Sequence, residues 1–284
     1  MKFSYFPGCS LGSTAKEYDV STRAVCEALG IELVELSDWV CCGATSAHST
    51  NHTLSLALPA RNISLAQEAG FDLAIPCSAC FNIIKKADYY MRHDNNIKAQ
   101  MEQIVGFQYT GTINVLSLLE LIVTKVGIDT LAQKVKKPLK DLKVVCFYGC
   151  LLVRPPKITG FDDPENPTTL DNIMKSLGAK VKTWSYKTDC CGANLGLTSG
   201  DVVRGMVGRL LAAAEEAGAK AMVTACPLCH SNLEMRRSKR NGNMPVFYFT
   251  ELIGLAMDLP ESNKWFKLHL VDPYPLLRSL SLSP

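Results

Sequence analysis

DLAIPCSAC (72–80) and AMVTACPLC (221–229) are two copies of one pattern. Each begins as a short apolar run that reads as a buried strand. Each run ends at a cysteine, and a helical pattern begins before the second cysteine of the CxxC. The pair of thiols therefore falls where a strand ends and a helix starts. There the free N–H groups and the helix dipole favour negative charge.

The duplication continues outward from these stretches. KFSYFPGC (2–9) matches KVVCFYGC (143–150), and CEALGIELVELSDWVCCGA (26–44) matches MKSLGAKVKTWSYKTDCCGA (174–193). ARNISLAQEAG (60–70) matches GRLLAAAEEAG (208–218), and INVLSLLELI (113–122) resembles PVFYFTELIG (245–254). The chain of 284 residues divides into repeats 1–138 and 139–284, joined near Lys137-Pro138-Leu139. In the first repeat, strands are expected at 3–6, 31–36 and 72–76. Helices are expected at about 14–29, 54–69 and 79–92, the first two stopped by Gly30 and Gly70. Alternation of this kind predicts an α/β fold: two pseudo-symmetric, Rossmann-like repeats with parallel sheets. Cys9, Cys77, Cys150 and Cys226 all follow strands, so the thiols gather at the carboxyl edge of each sheet, the usual functional crevice.

Composition narrows the class. Apolar residues make up 47%, enough for a core, and the net charge is +3 with both signs interspersed. That balance speaks against a nucleic-acid partner. The densest basic run, KVKKPLK (134–140), reads as a solvated linker. No run of eighteen apolar residues predicts a transmembrane segment. MKFSYFPGCS reads as a strand and turn, without the apolar region of a signal peptide. A cytoplasmic location is expected, where cysteine spacing points to metal or redox chemistry rather than disulfides.

Ten of the twelve cysteines form one five-residue pattern written twice. The first set is Cys9, Cys41, Cys42, Cys77 and Cys80; the second is Cys150, Cys190, Cys191, Cys226 and Cys229. In both, 34 residues separate the adjacent pair from the CxxC, while the leading gap is 31 residues in one and 39 in the other. Structural zinc takes four ligands, commonly two CxxC pairs, and an adjacent pair serves one small ion awkwardly. A thioredoxin-like dithiol uses only the CxxC. Buried structural cysteines explain two or three positions but not the register. A cluster of several irons is wide enough for the diverging thiolates of an adjacent pair. Five ligands exceed a cubane with one cysteine per iron. Gly8, Gly43, Gly149 and Gly192 adjoin these positions and let backbone approach a bulky group closely.

The doubled pattern, with CysCysGly in its middle and CxxC at its end, resembles the CCG-domain family over nearly the whole chain. FYGCLLVRPP (147–156) and FDDPENPTTLDNIMKSLGA (161–179) are similar to one branch of it, the B subunits of heterodisulfide reductases. The resemblance implies two noncubane 4Fe–4S clusters, held by the ten cysteines just named. It implies an active site between them that reductively cleaves a small organic disulfide, the coenzyme M–coenzyme B heterodisulfide of methanogenesis or a related one. It also implies two partner subunits, a ferredoxin-like C and a flavin-containing A. The chain itself has no CxxCxxCxxxCP ferredoxin run. Relatives serving lactate, glycolate or fumarate metabolism leave open an electron-relay role. The opening FPGCSLGSTAKEYDVS is closer to bacterial relatives.

Other residues carry weaker signals. Cys26 aligns with Met174 and Cys146 with Tyr5, so both read as core. His48, His52 and His230 are candidates for proton or substrate work, with a plain packed or surface histidine the competing reading for His230. Arg154, Lys85, Lys86, Arg61 and Arg209 could meet an anionic substrate. The Arg61/Arg209 match reads more simply as a shared helix-packing position. The proline-rich loop 153–169 is an insertion of the second repeat that could cover the site or dock a partner.

Overall fold

A computed structural model describes residues 1–44, 47–238 and 242–283, apart from the side chain of His48. Among the described residues, eight strands form two four-stranded sheets, all pairings parallel. The first sheet holds β1 (Lys2–Tyr5), β2 (Glu32–Glu35), β3 (Leu73–Ile75) and β4 (Val115–Ser117) in the order β2-β1-β3-β4. The second holds β5 (Lys143–Phe147), β6 (Lys180–Val181), β7 (Ala221–Thr224) and β8 (Val246–Tyr248) in the order β6-β5-β7-β8. The central strands β3 and β7 are buried at every residue, as parallel strands covered on both faces should be. The α/β reading and its duplication hold.

The elements lie close to their expected places. The helix expected at 79–92 runs Ser78–His93, and that at 54–69 runs His52–Ala69 with Asn51 capping it through Leu54 N. INVLSLLELI becomes a three-residue strand that turns directly into the helix Leu118–Leu121. Ser117 makes the turn, its side chain accepting from Glu120 N.

The two repeats pack reciprocally. Helix Lys16–Ala28 of the first lies on helix Phe249–Ala256 of the second, and helix Thr169–Ser176 of the second lies on Ile128–Gln133 of the first. At the first contact Tyr18 stacks on Tyr248 with ring centroids 4.1 Å apart, and Ser21 Oγ is 2.7 Å from Thr250 Oγ1. The lysine run between the repeats is mostly solvated, but Leu139 is buried. Lys134 Nζ donates to Ala28 O and Lys137 Nζ to Ser283 O.

Candidate functional site

The strand order decides where the cysteines meet. β1 pairs with β2 on one side and β3 on the other, so the chain changes direction across the sheet between β1 and β3. A crevice opens outside the carboxyl ends of strands at such a switch point. Cys9 follows β1 and Cys77 follows β3, one on each side of it. Cys150 and Cys226 stand in the same relation to β5 and β7. Cys77 is the N-cap of helix Ser78–His93 and Cys226 that of helix Pro227–Met235.

Within each repeat the adjacent pair reaches back to the CxxC. Cys42 Sγ lies 3.0 Å from Cys80 Sγ, and Cys191 Sγ lies 3.4 Å from Cys229 Sγ. Gly43 N donates to Cys41 Sγ at 3.5 Å, and Gly192 N to Cys190 Sγ at 3.3 Å. The two sets are not separate: Ser78 Oγ, beside Cys77, donates at 3.1 Å to Ala225 O, beside Cys226, and the Cys77 and Cys226 thiols perturb one another across the repeat boundary. Both sets also have an open side. Cys9, Cys41 and Cys190 are exposed and Cys150 is half-buried, while the other six are buried.

Close thiols share protons unevenly. Hydrogen bonds from Cys41 and Cys80 pull Cys42 down to about 4, and Cys41 rises, chiefly through that same bond. Cys150 pulls Cys190 down to about 6. Cys229 and Cys77 lower Cys226, and hydrogen bonds to neighbouring sulfurs raise both donors. Cys42, Cys190 and Cys226 are thus the sulfurs their neighbours favour as thiolate, the metal-binding form.

Glycine is required where sulfur passes backbone. Gly8 and Gly149 have φ of +71° and +68°, and a Cβ there would stand 3.2 Å from Cys80 Sγ and 3.0 Å from Cys229 Sγ. A cavity of about 40 Å³ lies beside the second set. Cys150, Cys190, Cys191, Cys226 and Cys229 line it, together with Ser78 and Ala79 of the first repeat. Among the described residues, the His, Cys, Asp or Glu trio whose ligand atoms close within 4.8 Å is His230, Glu234 and His269; no three thiols do so. The sulfurs are thus spread too widely for one small ion. Their number, the glycine approaches and the two helix N-termini fit an iron–sulfur group.

Several supports carry no motif. Asn62 clamps the residue before Cys41, its Oδ1 accepting from Val40 N and its Nδ2 donating to Val40 O. Asn82 Nδ2 crosses to the second repeat and donates to Leu151 O and Arg154 O. Tyr18 Oη donates to Pro76 O at 3.0 Å and approaches Ala225 O at 3.3 Å, so one hydroxyl touches the residue before each CxxC. The Cys150 loop rests on a buried chain: Tyr148 Oη donates to Asp171, which pairs with Lys187 Nζ at 3.0 Å. Lys187 O accepts from Tyr148 N and Gly149 N. Within FDDPENPTTLDN no short pattern marks that acid.

The remaining candidates scatter. Cys26 and Cys146 are fully buried in the core, and burial pushes both thiols up. His48 lies on the short helix Ala47–Thr50, with its side chain outside the described residues. His52 opens helix His52–Ala69 and is exposed. His230 is buried, stacks on Tyr248, and its Nε2 meets Val246 O at 2.9 Å; burial holds it down at about 3. Arg154 is tied to Pro164 O, Glu165 and Thr188, and Lys85 to Val115 O, while Lys86 stands over the Tyr90 ring. Arg61 pairs with Asp38, but Arg209 is exposed, so their match is not a packing position. Loop 153–169 forms a short helix, Pro156–Thr159, against Ser78–His93 of the first repeat.

Comparison with known proteins follows the same division. The CCG cysteine-rich domain matches residues 3–85 and again 144–234. The 8-methylmenaquinol:fumarate reductase membrane anchor subunit of Wolinella succinogenes is 33% identical over 280 residues, covering 95% of this chain and 97% of its own. A CoB-CoM heterodisulfide reductase B subunit of Methanosarcina acetivorans is 30% identical over 268 residues, covering 90% of this chain and 89% of its own. A solved structure, of a hypothetical protein from Helicobacter pylori, superposes with a TM-score of 0.76 at 13% identity. The match spans 95% of this chain and about half (52%) of that one, and shows the fold alone. Among the described residues no helix is long and apolar enough to cross a membrane.

Proposed function

The chain belongs to the CCG cysteine-rich domain family, and from that premise we propose that it is the disulfide-cleaving component of a multi-protein oxidoreductase. The family sets the coarser role: an iron–sulfur, electron-transferring component related to the B subunit of heterodisulfide reductase. The finer reading has two domains, 1–138 and 139–284. Cys9, Cys41, Cys42, Cys77 and Cys80 hold one noncubane 4Fe–4S cluster, and Cys150, Cys190, Cys191, Cys226 and Cys229 hold the other. When bound, such clusters supply single electrons and iron that takes sulfur ligands. A small organic disulfide gains two electrons and two protons and leaves as two thiols. Electrons come from two partner subunits, the ferredoxin-like C and the flavin-containing A, in the cytoplasm.

The observation that carries this reading is the junction of the two thiol sets. Ser78, beside Cys77, donates to Ala225 O, beside Cys226, and the adjoining cavity takes its walls from both repeats. A two-electron cleavage suits two like centres on one cleft. Ser78 and Ala79 form one wall, and Ser78 Oγ is itself spent on Ala225 O, so that wall shapes rather than protonates. Tyr148 is likewise committed to Asp171 and lines the cavity as a ring. The exposed sulfurs Cys9, Cys41 and Cys190 give each set a face toward a partner or substrate.

A second reading, electron relay in a fumarate reductase-type complex, is favoured by the 33% identity to the Wolinella protein over almost its whole length. One experiment separates the two. Anaerobic protein carrying both clusters is given a chemical reductant and candidate disulfides, coenzyme M–coenzyme B among them, and thiol release is followed. Release that disappears in Cys191→Ala supports cleavage. Clusters that reduce and reoxidise with no thiol from any disulfide support the relay.

A further inference from the structure

A second group of ligands lies behind the Cys226–Cys229 helix and contains no sulfur. His230 and Glu234 stand one turn apart on helix Pro227–Met235, and His269 arrives from the segment after the turn Phe266–Leu268. Glu234 Oε1 is 3.8 Å from His230 Nε2 and 3.4 Å from His269 Nδ1. The three side chains are at most 4% exposed. Yet Glu234 Oε1 and His269 Nδ1 have no hydrogen-bond partner. A direct charged hydrogen bond between them would close to about 2.7–2.9 Å. Two ligands each about 2.0–2.2 Å from a shared ion stand near 3.4 Å from one another.

The surroundings match those of a metal site. His269 Nε2 donates to Glu251 Oε1 at 2.7 Å, the histidine–carboxylate pairing that orients a ligating imidazole. Glu251 is fixed in turn by Tyr248 N, and Glu234 Oε2 accepts from Leu270 N at 2.8 Å. A cavity of about 240 Å³, lined by Glu17, His230 and Glu234, reaches the group from one side.

We propose that His230 Nε2, Glu234 Oε1 and His269 Nδ1 bind one divalent transition-metal ion, zinc by preference, with its fourth position facing the cavity. Two histidines and one glutamate with an open position is a zinc donor set. Binding moves the His230 ring proton from Nε2 to Nδ1 and releases Val246 O. The ion clamps the C-terminal segment onto the helix that carries Cys226 and Cys229. This site is independent of the reaction proposed above.

The test uses the full chain, purified anaerobically after growth with zinc chloride. Metal analysis is combined with zinc-edge X-ray absorption on wild type, Glu234→Gln and His269→Gln. About one zinc per chain is expected, with only nitrogen and oxygen neighbours. Each variant should lose zinc affinity by about tenfold or more, with iron and sulfide unchanged. Wild-type protein without zinc, zinc with sulfur neighbours, or zinc retained by both variants overturns the proposal. The wild-type spectrum decides even if a variant fails to fold.

Discussion

Replacing Gly149 by alanine tests whether sulfur must pass the backbone there. The residue has φ of +68°, and the added Cβ would lie 3.0 Å from Cys229 Sγ. Left-handed backbone costs a non-glycine residue roughly 1–2 kcal/mol. Gly30 supplies the control: its φ is +76°, and a Cβ there would meet nothing within 4 Å. Gly30→Ala therefore carries the backbone cost alone, a loss of about 1–2 kcal/mol, or several degrees in Tm at roughly 2–4 °C per kcal/mol. Gly149→Ala carries the same cost and also pushes a sulfur away from its place. Iron and acid-labile sulfide are measured on both anaerobic variants, with Tm by calorimetry. Gly30→Ala should keep full iron, and Gly149→Ala should lose about half of it, the content of one cluster of two. Full iron in Gly149→Ala, or equal iron loss in both, would refute the reasoning.

Other outcomes follow from the same geometry. Wild-type chain should hold roughly eight irons; Cys191→Ala should lose one cluster while Cys146→Ala and Cys26→Ala keep both, with Cys26→Ala costing about 1–2 kcal/mol in chemical denaturation. Equal iron loss from Cys146→Ala and Cys191→Ala would overturn the ligand assignment. Asn82→Ala removes the donors to Leu151 O and Arg154 O and should cost about 1–3 kcal/mol, read as a lower denaturant midpoint; an unchanged midpoint counts against the clamp. Burial raises Glu17 from the usual 4.5 to about 7. The folded state then binds the proton more tightly, so its stabilising contribution is full below about pH 4.5 and is lost as pH rises through about 7. Glu17→Gln should flatten that fall, and a pH–stability curve parallel to wild type between pH 5 and 8 would contradict it.

The strand ends were legible in the sequence because cysteines mark them. Cys9, Cys77, Cys150 and Cys226 each follow an apolar run, and the switch-point crevice needs only strand order to bring them together. The contact of Cys77 with Cys226 was not legible, because nothing in either copy says which face meets the other. That choice is made by Tyr18, Ser21 and Asn82, ordinary residues whose partners lie far along the chain. His230 was singled out for its place beside Cys229. What distinguishes it is Glu234 one turn on and His269 from a distant segment, a spacing with no short motif. Arg209 misled because aligned arginines suggested shared packing where the second is solvated.

The reciprocal packing of the repeats sets an order of events at the ribosome. Helix Lys16–Ala28 packs Tyr18 on Tyr248 and Ser21 on Thr250, about 230 residues later. At about 5–20 residues per second, synthesis takes on the order of 10–50 s to deliver that cover. Until then the nascent first half presents five thiols beside an unfinished surface, open to stray metal ions and oxidants. The first half's thiols therefore reach their folded surroundings only once residues near 250 have been made.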